Sequence, residues 1–109
     1  MQNSEYSIQL AQSALDSNRS DQGDPTLSVL LEAYLLQARK AQDYQAGTDR
    51  DNYFPLGLPS FATMINIKAL RLVSLAAKPE SPQFESVKDT SLDLINYAAF
   101  LAEWLDRHA

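Results

Sequence analysis

The sequence predicts an all-α protein, a four-helix bundle in one domain. Three observations carry that expectation. Apolar residues recur at spacings of three and four through most of the chain. Turn-forming composition is concentrated in a few short stretches, chiefly NRSDQGDP at residues 18–25 and AKPESPQ at residues 77–83. Only three glycines and five prolines interrupt 109 residues, which suits long helices. Four helices joined largely by short polar turns bury their apolar stripes best against one another.

The first helix is expected from about Glu5 to Ser17, with Ile8, Ala11, Ala14 and Leu15 on its apolar side. Asp24 before Pro25 reads as a helix start, an acceptor followed by a residue preset for the first helical position. The second helix then runs from Pro25 to Tyr44 on Leu27, Leu30, Leu31, Tyr34, Leu35 and Ala38. Residues 45–59, QAGTDRDNYFPLGLP, form the one long irregular segment, either a cover for a polar ligand or a surface loop anchored by Tyr53, Phe54 and Leu56. Ser60 is the expected cap of a third helix from Phe61 to Ala77, with Phe61, Met64, Ile65, Leu72 and Leu75 facing a core. Ser81-Pro82 is the expected start of the fourth, Phe84 to Leu105.

The fourth helix has an unusual face. Glu85, Asp89, Asp93 and Asn96, at spacings of four, four and three, fall on one stripe. Like charges four apart repel, so solvent, a cation or basic side chains must compensate them. Val87, Leu92, Ile95, Ala99 and Ala102 flank the stripe on one side, and Leu94, Ala98, Leu101 and Leu105 on the other. That spread of apolar residues predicts a largely buried helix. Charge runs are usually solvated faces, and a solvated acidic stripe is the simplest reading of the spacing. Lys68 and Arg71, three apart on the third helix, share a face and suit either phosphate or the acidic stripe itself.

Composition excludes several classes. Without cysteine there is no disulfide and no thiolate metal site. The single histidine, His108, is next to last and reads as an exposed tail residue, which speaks against Cys–His and Ser–His–Asp catalysis. A net charge of −5 argues against a nucleic-acid partner. No apolar run approaches a membrane span, and MQNSEYSIQL lacks the basic and apolar parts of a signal peptide, so a cytoplasmic location is expected.

Three blocks combine into a further pattern: Lys40-Ala41-Gln42-Asp43-Tyr44, Lys68-Ala69-Leu70-Arg71-Leu72, and the fourth-helix series Glu85-Ser86, Asp89-Thr90, Asp93-Leu94, Asn96-Tyr97-Ala98. Together they resemble the phage-associated nucleotide-modification family, which is similar to the MazG-like all-α nucleotide pyrophosphohydrolases. The resemblance spans about Ala38 to Leu105. It implies a MazG-like helical bundle, often oligomeric, with a nucleotide site built on helix faces. It also implies Mg²⁺ held by carboxylates, here Glu85, Asp89 and Asp93, bridging phosphate oxygens and activating water. Lys68 and Arg71 then neutralise phosphate, while Asp43, Tyr44, Asn96 and Tyr97 contact the rest of the ligand. Two departures stand out. The second helix offers Glu32 but leucine three and four residues on, and the family's Asp-Tyr-Gly reads Asp43-Tyr44-Gln45-Ala46-Gly47. The expectations are therefore Mg²⁺-dependent hydrolysis of a nucleoside triphosphate or capture of a nucleotide-derived ligand without turnover, as in a phage sequestering protein. A helical interaction module with an architectural stripe is the third. Tyr53, Phe54 and Tyr97 are either base-stacking or core rings, and Trp104 is a packing or oligomer contact.

Overall fold

The computed structural model describes residues 2–44, 50–78 and 84–109, and the side chains of 5–42, 50–78 and 86–109. Its elements are α1 (Gln2–Ser20), α2 (Pro25–Tyr44), a short 3₁₀ turn (Arg50–Tyr53), α3 (Leu58–Ala76) and α4 (Phe84–His108). The all-α expectation holds: there are four helices and, among the described residues, no strand. The chain divides into two compact units, Met1–Thr48 and Asp49–Ala109, each built around one helical hairpin.

In the N-terminal unit α1 packs on α2. Ala11, Leu15 and Leu35 are buried together, with Ile8, Leu31 and Tyr34 partly buried against them. Burial of each of the two leucines contributes about 1.5–3 kcal/mol. Two polar contacts share the same antiparallel register: Arg39 Nη2 donates to Gln12 Oε1 at 2.7 Å, and Arg19 Nη2 meets Glu32 Oε1 at 3.4 Å. The turn between the helices follows from Gln22, Gly23 and Asp24. Gln22 takes the left-handed conformation that closes helix C-termini, with φ of 52°, and Gly23 N donates back to Asn18 O at 2.7 Å. Asn18 Nδ2 then donates to Asp24 O and to Ser28 Oγ, tying the end of α1 to the start of α2. Asp24 caps α2 as expected, its Oδ1 accepting from Thr26 N at 2.9 Å.

In the C-terminal unit α3 packs on α4. Phe61 on α3 meets the Trp104 ring on α4, whereas Lys68, seven residues later, meets Asp93, eleven residues earlier, so the two helices run antiparallel. Phe61 is fully buried, with Leu75 and Leu92 closing the seam farther along. The hydroxyls of Thr90 and Ser91 donate to carbonyls four residues back, Ser86 O and Val87 O. No buried side-chain nitrogen or oxygen among the described residues lacks a partner.

Four expectations change. The third helix begins at Leu58, before Ser60, with Gly57 at its N-terminal boundary and Pro59 in its first turn. Proline fits there because that N–H has no intrahelical partner anyway. Ser60 instead accepts from Leu56 N at 2.9 Å, closing the turn that leads into the helix. The first helix extends about a turn beyond the expected range at each end. The fourth continues to His108, which is no tail: exposed as it is, its ring stacks on Trp104 at 4.1 Å and its Nδ1 lies 2.8 Å from Trp104 O. Finally, α4 is less buried than its composition suggests, since Ala98, Ala99 and Ala102 are exposed. A methyl group is too small a driving force to decide which way a helix face turns. Ser81 and Pro82, the expected start of α4, lie outside the described residues.

Candidate functional site

Helix α4 carries its polar stripe gradually from solvent into the seam with α3. Asp89 is exposed, Asp93 one turn on is half-buried, and Asn96 is buried. Thr90 is the other buried polar residue of this helix. From α3, Lys68 Nζ reaches Asp93 Oδ2 at 3.0 Å, with side-chain exposures of 24% and 28%. This is the compensation that the like-charged stripe requires, supplied by a basic residue. A pair exposed to this extent is worth about 1 kcal/mol or less. Its interest is chemical: a cation with an acidic neighbour, partly shielded, at the edge of a helical seam. Arg71 lies a turn further along α3 and is exposed. The structure thus brings Lys68 to Asp93 and places Asp89 and Asn96 within one turn on either side. Tyr97 belongs to a different environment, among rings. The side chains of Asp43, Tyr44 and Glu85 lie outside the described residues.

Two of the three expected Mg²⁺ donors, Asp89 and Asp93, lie on this stretch of α4. Mg²⁺ needs hard oxygen ligands in near-octahedral order. Asp93 is engaged by an ammonium group, and among the described residues no group of three or more acidic or histidine side chains is placed to hold a metal ion. Glu85, the third expected donor, lies outside the described side chains, so the expected set of three is not on view.

A second constellation covers the other end of the α3–α4 seam, and the sequence does not reveal it. The stretch from Arg50 to Gly57 lies across the start of α3 and the last turns of α4 as a strap. Asp51 receives two hydrogen bonds from Arg107, at 2.9 and 3.0 Å, and Arg107 also bonds Glu103. The bonds donated by Arg107 hold the Asp51 carboxyl below its usual range, and its bonds to the Asp51 and Glu103 carboxylates raise the Arg107 guanidinium. Arg50 stands 3.8 Å over the Phe100 ring and 4.0 Å from Glu103. Beneath the strap Phe54 stacks on Phe61 at 4.2 Å and meets Tyr97 edge-on at 6.0 Å. Of the three residues expected to anchor this segment, Phe54 alone does so, at 7% exposure; Tyr53 and Leu56 are 54% and 74% exposed.

Comparison with protein-family models, curated proteins and solved structures returns no match for any part of this chain. Among the described residues, no helix is long and apolar enough to cross a membrane.

Proposed function

We propose that the chain binds a nucleotide or nucleotide-derived phosphate ligand along the α3–α4 seam, with Lys68 as the phosphate contact, and releases it unaltered. The observation that carries this reading is the Lys68–Asp93 pair. A lysine poised beside a helical seam can exchange a carboxylate partner for a phosphate oxygen, replacing one charge-assisted hydrogen bond with another. Arg71, exposed on the same helix, adds a forked donor suited to phosphate. The motif blocks containing these residues resemble a nucleotide-modifying family, which supports the choice of a nucleotide among phosphate ligands. Self-association, which that resemblance also implies, belongs to this proposal.

Hydrolysis is the alternative, and Asp93 separates the two. In capture without turnover, Asp93 competes with phosphate for Lys68. Asp93→Asn should then tighten binding of adenosine triphosphate by up to roughly fivefold, equivalent to about 1 kcal/mol. In Mg²⁺-assisted hydrolysis Asp93 is a metal ligand, and the same substitution abolishes turnover. The experiment is equilibrium binding with and without Mg²⁺ for wild type, Lys68→Ala, Asp89→Ala and Asp93→Asn, followed by heat denaturation and analysis of the released nucleotide. Intact ligand, with weaker binding in Lys68→Ala and tighter binding in Asp93→Asn, is the expected result. Monophosphate and pyrophosphate appearing only with Mg²⁺ select hydrolysis. Unchanged binding in folded Lys68→Ala and Asp89→Ala removes the site altogether.

A further inference from the structure

We infer that Phe54 occupies, from within the chain, a ring-stacking slot between Phe61 and Tyr97 that a planar heteroaromatic base takes when the strap lifts. The inference rests on the nucleotide reading above and adds to it the place of the base and an autoinhibitory contact.

The slot and its occupant come from different kinds of structure. Phe61 belongs to α3 and Tyr97 to α4, so the walls stand on two packed helices. Phe54 follows the 3₁₀ turn in an irregular stretch. Its ring lies nearly parallel to Phe61, with 14° between the planes at 4.2 Å, and meets Tyr97 edge-on at 72°. Parallel stacking on one aromatic side chain with an edge contact from another is also how proteins hold an unstacked base.

Besides that ring, the strap is tied down by polar contacts near the surface, among them Leu56 N to Ser60 Oγ at 2.9 Å. Its neighbours Tyr53 and Leu56 point their apolar surface to solvent. Its ties to α4 include the partly exposed Asp51–Arg107 and Arg50–Glu103 ion pairs and the Arg50–Phe100 contact, and exposed ion pairs hold weakly. At its far end lies Gly57, whose φ of 63° only a residue without a side chain adopts readily, so this end of the strap is set by backbone conformation. Lifting the strap withdraws one ring and leaves the helical walls standing.

The slot is also in line with the proposed phosphate contact. Tyr97 follows Asp93 by one turn of α4, and Phe61 precedes Lys68 by two turns of α3, about 10 Å along the axis. That spacing suits a ligand with a ring at one end and phosphates at the other. Lys68 complements the anionic end.

If Phe54 competes with the base, the apparent affinity is lowered by the fraction of molecules with the strap closed. The test measures binding of adenosine triphosphate and of adenosine to wild type, Phe54→Ala and Asp51→Asn, with Trp104 fluorescence as a second readout because Trp104 neighbours Phe61 at 6.2 Å. Asp51→Asn loosens the strap without touching the rings, so it decides the matter if Phe54→Ala fails to fold. Both probes are expected to bind at least threefold tighter to the variants, with a Trp104 signal on binding. Wild type that binds the triphosphate while the folded variants bind neither probe more tightly overturns the slot and leaves the nucleotide reading intact. No binding of either probe by any of the three proteins overturns both.

Discussion

Gly57 is the residue on which the C-terminal unit depends most sharply for its size. Its φ of 63° and ψ of −128° lie where side-chain-bearing residues are strained. A Cβ placed there would sit 2.8 Å from Trp104 Cζ2, so the indole would have to move as well. Gly57→Ala should therefore cost about 1–3 kcal/mol from backbone strain alone, with displacement of Trp104 adding to it. Urea unfolding followed by Trp104 fluorescence measures this directly; an unchanged midpoint would show that the strap does not need this geometry. The same logic applies at Gly23 for a different reason. There no positive φ is involved, but a Cβ would collide with Asn18 Oδ1, within the network that joins α1 to α2.

At the scale of elements, the strap is held by charge where α4 ends. Asp51 is the titrating member, since Arg107 stays protonated at every accessible pH. The carboxyl's folded-state pKa lies below its ordinary value, so its contribution is present above about pH 4 and is lost as pH falls through the lower, folded value. The stability difference between wild type and Asp51→Asn should accordingly be constant from pH 7 to 5 and shrink below pH 4. Urea midpoints of both proteins across that range test the sign; a difference that grows on acidification would contradict the assigned contact. Elements also show what a sequence can and cannot disclose. Helix α2 is legible because its apolar spacing persists for several turns and Asp24-Pro25 marks its start, both local properties. The start of α3 is misread because Ser60 has the chemistry of a cap, while the turn is set by Gly57 and by where Leu56 sends its N–H. The Asp51–Arg107 contact joins residues 56 positions apart, and no periodicity encodes such a pairing.

For the whole molecule, the excess of acidic charge makes a site for an anion a local matter. A chain of net charge −5 offers no general attraction to a nucleotide, so affinity has to come from particular groups such as Lys68. Of the candidate site, the compensation of the acidic stripe is legible in the sequence from the like-charge spacing, and so is the shared face of Lys68 and Arg71. The burial gradient from Asp89 to Asn96 is not, because it depends on how α4 is rotated against α3. Binding to a folded site must also appear as stability, since a ligand that binds only the native state adds about 2.7 kcal/mol at one hundred times its dissociation constant. For a chain of this size that corresponds to a rise in melting temperature on the order of 10 °C. Adenosine triphosphate without Mg²⁺ should produce such a shift in the wild-type protein, read by Trp104, the single tryptophan, which lies in the same unit as Lys68. In Lys68→Ala the shift at the same nucleotide concentration should largely disappear, whereas Asp93→Asn should show a larger one. An equal shift in all three proteins would locate nucleotide binding away from the Lys68–Asp93 pair, and an effect seen only with Mg²⁺ would return Asp93 to the role of a metal ligand.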